Sequence, residues 1–249
     1  MSDKTVVISQ PMYFPWVGMF EQLCLADDYV DYADVAFSKG SFTNRVQVKT
    51  AAGSSWLTLP LQTVRQGQTI NEIALNERQN WRRKHRATLA QAYAKAPFVS
   101  EMLTLVDEVF DESSNLLGDV AMRSMLVAHH FFSFDRPFRF HRSAELGVVG
   151  ASSERVLKIV RLLGGNRYVT GHGAKNYLDH AIFEVSGVRV DYMDYRKVEY
   201  PQMHPPFTPF VSILDLVANL GKEGRRVIVS QTRPWREMLN QTEIPNEHT

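Results

Sequence analysis

The stretch Val6-Val7-Ile8-Ser9-Gln10-Pro11-Met12-Tyr13-Phe14-Pro15-Trp16-Val17-Gly18-Met19-Phe20 decides the fold. The apolar run Val6 to Ile8 reads as a buried strand, and Pro11 and Pro15 stiffen the aromatic loop that follows it. Val17, Phe20, Leu23 and Cys24 then recur at helical spacing, and Asp27-Asp28 lead into a second strand expected from Tyr29 to Val35. Strand, loop, helix and strand make a βαβ opening. α/β proteins bind ligands where such loops leave the carboxyl ends of their strands.

Outward from this unit, Val46–Lys49 and Trp56–Leu61 read as an antiparallel hairpin joined by the small residues 51–55. Residues 77–132 carry helical apolar faces, with a break at Pro97 and a new start at Ser113-Ser114-Asn115. The α/β pattern then resumes. Phe138-Arg139-Phe140 is strand-like, Ser152-Ser153-Glu154 cap a helix that Gly164-Gly165 ends, and Arg167–Thr170 and Val188–Tyr192 are further strands. The expected fold is α/β, with a mainly parallel Rossmann-like sheet and a helical insertion at residues 77–132. Residues 1–225 are expected to form one domain, and residues 226–249 a C-terminal extension.

At 249 residues, 44% hydrophobic, 22% charged and with a formal charge of +1, the chain has the composition of a globular protein that needs no covalent staple. It lacks the basic excess typical of nucleic-acid binders. Cys24, the single cysteine, cannot form an intramolecular disulfide, and its apolar neighbours make it a core residue. A reducing, cytoplasmic setting is expected. The start of the chain has no signal-peptide pattern, and no apolar run reaches the roughly eighteen residues a membrane span requires. No membrane insertion is expected.

Three clusters are candidates for chemistry. Gln10, Tyr13 and Trp16 place an amide, a phenol and an indole at a strand end, and Lys39, Asn44, Arg45 and Lys49 bring groups suited to a phosphate or carboxylate. The competing readings are an aromatic plug and a solvated basic turn. In the second cluster, Gly171-His172-Gly173-Ala174-Lys175-Asn176-Tyr177, a glycine-bearing loop offers backbone N–H groups, His172 offers an acid or base, and Lys175 follows one turn later. The spacing is neither that of a Walker loop nor that of a dinucleotide fingerprint, and a tight connection is the ordinary alternative. The third, Tyr200 to Phe210, is a proline-stiffened loop with Gln202 and His204, leading to a helix capped by Ser212, carrying Asp215 and ended by Gly221. No metal motif is present: His129 and His130 are adjacent, so they point to different sides of a helix. Arg82 to Arg86 is a basic run, read as a solvated face or an RNA or phosphate contact.

Taken together, Ser9-Gln10-Pro11-x-Tyr13-Phe14-Pro15-Trp16-x-Gly18-x-Phe20, Phe37-x-Lys39-x-x-Phe42-x-Asn44-Arg45, Trp56-Leu57-Thr58-x-Pro60, Gly171-x-Gly173-Ala174-Lys175-x-Tyr177-Leu178, Tyr200-Pro201-Gln202 and Pro209-x-x-Ser212-Ile213-Leu214-Asp215 resemble the WbqC-like family. The resemblance spans about residues 5 to 225. It implies a role in O-antigen or surface-polysaccharide synthesis, with glycine transfer as the suggested activity. The opening is also similar in topology to the HxGH element of adenylyl-transferring HUP-type enzymes, with Trp16 and Phe20 where the histidines would stand. That likeness implies ATP with Mg, an acyl adenylate, and phosphate stabilisation by Lys39, Arg45 or Lys175.

The expected function is therefore aminoacyl or small acyl transfer to an amine, such as that of an amino sugar, with an aminoacyl-tRNA as the other donor. His172 or His204 would handle the proton, and Arg45 and Lys175 the anionic charge. Gln10, Tyr13, Trp16, Lys39, Asn44, Gly171, Gly173, Tyr177, Gln202 and Asp215 would bind substrate or phosphate. The alternative is a noncatalytic subunit that holds a nucleotide sugar for a partner enzyme.

Overall fold

The computed structural model describes residues 3–134 and 137–240. The described chain opens with strand β1 (Thr5–Ser9), helix α1 (Val17–Leu23) and strand β2 (Asp28–Asp31), followed by a hairpin of β3 (Arg45–Thr50) and β4 (Gly53–Thr58). The insertion supplies α2 (Trp81–Ala92), α3 (Val99–Phe110) and α4 (Leu117–Phe132). Then come β5 (Arg139–Arg142), α5 (Ser152–Leu162), β6 (Arg167–Thr170), α6 (His180–Val185) and β7 (Arg189–Met193). The last elements are α7 (Ile213–Leu220), β8 (Thr232–Pro234) and α8 (Trp235–Asn240).

Six strands form one sheet in the order β5-β2-β1-β6-β7-β8, parallel except for β8, which pairs antiparallel with β7. The fold is α/β and Rossmann-like. Central β1 is buried on both faces, which is why it reads as a continuous apolar run. Val6 and Ile8 pack into one apolar cluster with Val156, Ile159 and Val160 of α5, while Val7 faces a second cluster shared with α1, α4 and α7. Charge pins the sheet at its amino-terminal edge. Asp28 of β2 accepts from Arg139 at 2.8 Å and contacts His141 at 2.7 Å and Lys4 at 3.3 Å, joining β1, β2 and β5.

Several boundaries differ from the sequence expectation. Strand β2 ends at Asp31 instead of Val35, because the Ala33 and Val35 carbonyls accept from Asn71 and Ile70 at 3.0 and 3.1 Å and leave the sheet. The hairpin turn is tighter than residues 51–55, with β4 starting at Gly53, whose φ of +109° suits glycine. Ser152 and Ser153 do not cap α5. The cap position is Ala151, and the Ser153 hydroxyl instead donates to the Tyr177 carbonyl and accepts from the Asp179 N–H. Residues 226–240, read from sequence as part of an extension, complete the sheet through β8 and place α8 against β7. Among the described residues, no helix is long and apolar enough to cross a membrane.

The loop after β1 is held by an unusual clamp. Phe14 is fully buried with φ +41°, a conformation that costs a bulky L residue about 1–3 kcal/mol and persists only where its surroundings impose it. Its N–H donates to Ser124 Oγ of α4 at 2.8 Å, and its carbonyl accepts from Ser212 Oγ at 2.9 Å. Ser124→Ala is expected to strand the buried N–H and destabilise the fold by about 1–3 kcal/mol, read as a lower urea midpoint at unchanged m. An unchanged midpoint would mean the clamp is idle.

On α1, Glu21 is buried and its Oε2 has no hydrogen-bond partner. Burial pushes the carboxyl from 4.5 up to about 7; the Arg196 backbone opposes the shift and Asp194 adds to it. The folded state therefore keeps the proton after the unfolded chain has lost it. This contribution to stability is full below about pH 4.5 and is lost as pH rises through 7. Glu21→Gln is expected to be more stable than the parent by about 2 kcal/mol at pH 8, a gain that fades towards pH 4.5, in denaturation midpoints taken across that range.

Candidate functional site

Strand order reverses between β1 and β6, and the main cleft opens there, at the carboxyl ends of the strands. It encloses about 1100 Å³. Ser9, Gln10, Met12 and Trp16 form the wall from the β1 loop, with Met19 and Gln22 of α1 beneath. Tyr32, Asp34 and Phe42 line the β2 side, and Gly150 to Ser152 and Arg155 come from the start of α5. The far side is Thr170 to Ala174 and Tyr177 after β6, then Asp194, Tyr195 and Lys197 after β7, with Phe210.

Six of the sequence-predicted residues meet in this cleft: Gln10, Trp16, Gly171, His172, Gly173 and Tyr177. The aromatic wall depends on missing side chains. A Cβ on Gly18 would lie 2.1 Å from the Trp16 ring and 2.8 Å from Tyr195, so glycine here lets the indole fold back over α1. Tyr195 and Phe210 then pack edgewise on Trp16, with ring centroids 4.7 and 5.3 Å away.

The cleft's charges are mostly spent internally. Arg155 forms a fork onto Asp34, donates through Nε to the Val148 carbonyl at 3.0 Å and lies over the Tyr32 ring. Burial favours the neutral Asp34, but the hydrogen bonds from Arg155 and Ser143 outweigh it and hold the carboxyl below its ordinary range. Asp194 pairs with Arg233 at 2.8 Å. Lys197 is different: it has φ +50° and lies 5.2 Å from the Phe210 ring, with no ion pair among the described residues. His172 Nε2 lies 2.7 Å from the Met193 carbonyl. A carbonyl can only accept, so Nε2 carries the proton and Nδ1 of the neutral ring is left as a base.

The remaining predicted residues lie elsewhere. Tyr13 is absent from the cleft lining: it is fully buried and bonds His85 Nδ1 at 3.0 Å, and burial lowers that imidazole to about 4. Lys175 turns away towards the Met238 carbonyl at 3.5 Å. His204 Nε2 donates to the Ala92 carbonyl at 2.8 Å, a structural bond. Gln202 and Asp215 belong to a buried polar network. Asp215 accepts from Tyr93 and Tyr200 at 3.0 and 2.8 Å, while Gln202 accepts from the Lys49 ammonium at 3.0 Å and bonds Thr208. That network fastens the proline-rich loop to β3 and α7. Lys39 and Asn44 stand on the loop before β3 and Arg45 opens that strand, all outside the cleft lining but joined to it through Phe42.

Asp34, Arg155, Asp194, Tyr195 and Lys197 went unnoticed in the sequence. Each follows a strand or opens a helix without a motif around it, and only the strand order brings them together. Burial pushes the Cys24 thiol to about 12, so it stays protonated and fits a packing role. No cluster of three or more His, Cys, Asp or Glu among the described residues could hold a metal ion.

The uncharacterized protein Rv1507c of Mycobacterium tuberculosis is 29% identical over 223 residues, which cover 89% of this chain and 96% of that protein. No solved structure matches the chain. The model of the WbqC-like protein family matches residues 10–227, spanning β1's exit loop, the insertion and both sides of the cleft, and the chain belongs to that family.

Proposed function

We propose that the chain transfers a small aminoacyl group, glycyl foremost, to the amine of an amino sugar in surface-polysaccharide synthesis. The supporting observation is His172 at the strand-order reversal, with its proton fixed on Nε2 by Met193 and a basic Nδ1 in a cleft large enough for two substrates. The amine attacks the acyl carbonyl carbon, the C–N bond forms, and the bond from acyl carbon to leaving-group oxygen breaks. His172 takes the proton the amine loses and returns it to the departing oxygen, and the Lys197 ammonium offsets the charge on the carbonyl oxygen.

The donor set fits a pre-activated acyl group better than ATP with Mg. Asp34 and Asp194, the carboxylates lining the cleft, are both engaged by arginines, and neither is free for a hard cation. An aminoacyl-tRNA, whose ester already carries the activation, is the donor that this arrangement suits.

The test incubates the protein with amino-sugar nucleotides and either glycyl-tRNA or glycine with ATP and Mg, and follows products by mass spectrometry. A new amide that requires the charged tRNA is expected. His172→Asn should lower kcat by about 100-fold or more with little change in KM. A product formed from free glycine and ATP would overturn the choice of donor. Nucleotide-sugar binding with no amide from either donor would overturn transfer in favour of a noncatalytic binding subunit.

A further inference from the structure

The loop before β3, with that strand's first residue, holds a group of polar atoms that the fold itself does not satisfy. Ser41 Oγ, Asn44 Oδ1 and Arg45 Nε are buried without a hydrogen-bond partner among the described residues. Buried polar atoms are nearly always paired, and three orphans within five residues mark a place where a ligand supplies what the protein does not. Asn44 is only 8% exposed, so bulk water does not relieve it.

The arrangement selects for a particular chemistry. The Arg45 guanidinium lies 4.2 Å over the Trp56 ring and makes no ion pair among the described residues, so the indole fixes the plane of a fork whose hydrogens are unspent. Gly40, at φ +84°, lets the backbone approach that fork: a Cβ there would stand 3.3 Å from Arg45 Nη2. Lys39 beside it is exposed and also unpaired. Ser41 adds a hydroxyl donor, and Asn44 Oδ1 asks for a donor in return. Two cations and a hydroxyl suit a phosphoryl group, and the amide oxygen suits a hydroxyl on the ring that carries it.

The loop is continuous with the cleft. Phe42 packs 6.1 Å from Trp56, lines the cleft, and accepts from the Tyr13 N–H at 3.1 Å through its carbonyl. We propose that Lys39, Ser41, Asn44 and Arg45 form a phosphate subsite that anchors a hydroxylated phosphate ester, a nucleotide or a sugar phosphate, whose other end reaches past Phe42 into the cleft. The subsite rests on the transfer reading only in making that ligand the amine acceptor. Phosphate binding itself stands without it.

Binding to the full chain is measured by calorimetry for four probes: UDP, uridine, glucosamine 1-phosphate and glucosamine. At least one phosphate ester is expected to bind tenfold or more tightly than its unphosphorylated partner. Which ester does so tells nucleotide from sugar phosphate. Arg45→Gln should weaken that ester about tenfold, while Lys39→Ala, at an exposed side chain that cannot unfold the loop, should weaken it severalfold. Neither change should alter the unphosphorylated probe. Equal binding of both esters and their unphosphorylated partners, or parental ester affinity in both variants, would overturn the subsite. Phosphate-dependent binding without amide formation leaves the subsite standing and removes transfer. Transfer to unphosphorylated acceptors at full efficiency keeps transfer and overturns the phosphate ester as its amine acceptor.

Discussion

The left-handed Phe14 peptide, gripped by one serine on each side, is the constraint on which the cleft depends. Ser124 belongs to the helical insertion and Ser212 caps α7, so one residue after β1 gathers segments from three distant parts of the chain. The clamp fixes the direction of the next residues. Ile213 N–H donates to the Pro15 carbonyl at 2.8 Å, and Trp16 pairs as an isolated bridge with Ser212. Trp16 is thereby aimed across Gly18 into the cleft wall. The insertion is thus more than a covering layer: it carries part of the restraint that positions a cleft residue, and its loss would free a strained loop to relax.

The same geometry explains what the sequence disclosed. A buried parallel strand announces itself by an uninterrupted apolar run, and a proline-aromatic loop by its own composition, so β1, its exit loop and the β6 loop were legible from local pattern. Tyr13 and Trp16 were indistinguishable on that basis. The backbone reversal at Phe14 separates them, sending Tyr13 into the core against His85 and Trp16 towards the cleft. A sequence shows that a phenol is present, but whether it meets a ligand or an imidazole 72 positions later is decided by tertiary packing.

Gln202, His204 and Asp215 teach the same lesson from the opposite side. Their residue types suggested chemistry, yet each is consumed by a partner remote in sequence: Lys49 for Gln202, Ala92 for His204 and Tyr93 for Asp215. A polar group buried with its partners is a structural pin, and one buried without them is a candidate contact. By that criterion Arg45 and Asn44 remain candidates while Lys175 does not, a distinction that their local sequence could not draw. Tyr195 and Lys197 were illegible for another reason. They follow β7, whose place beside β6 is a property of the strand order and of no local pattern.

The distribution of charge links these observations. Inside the cleft the Asp34 and Asp194 carboxylates are neutralised by Arg155 and Arg233, leaving a mostly apolar and aromatic lining in which a lone cation acts strongly. A substrate carrying a full phosphate would be poorly matched to that interior, since Lys197 is its single unpaired permanent cation among the described residues. The unspent cations Lys39 and Arg45 stand outside it, at the end of a path through Phe42 and Trp56. A molecule with a charged end and a weakly charged reactive end fits both regions at once: the phosphate stays where water and guanidinium share its solvation, and the amine is delivered where water is scarce. Separating the anchor from the reacting centre lets binding energy gained at the loop orient the amine without placing a dianion beside the developing oxyanion, where its repulsion would raise the barrier.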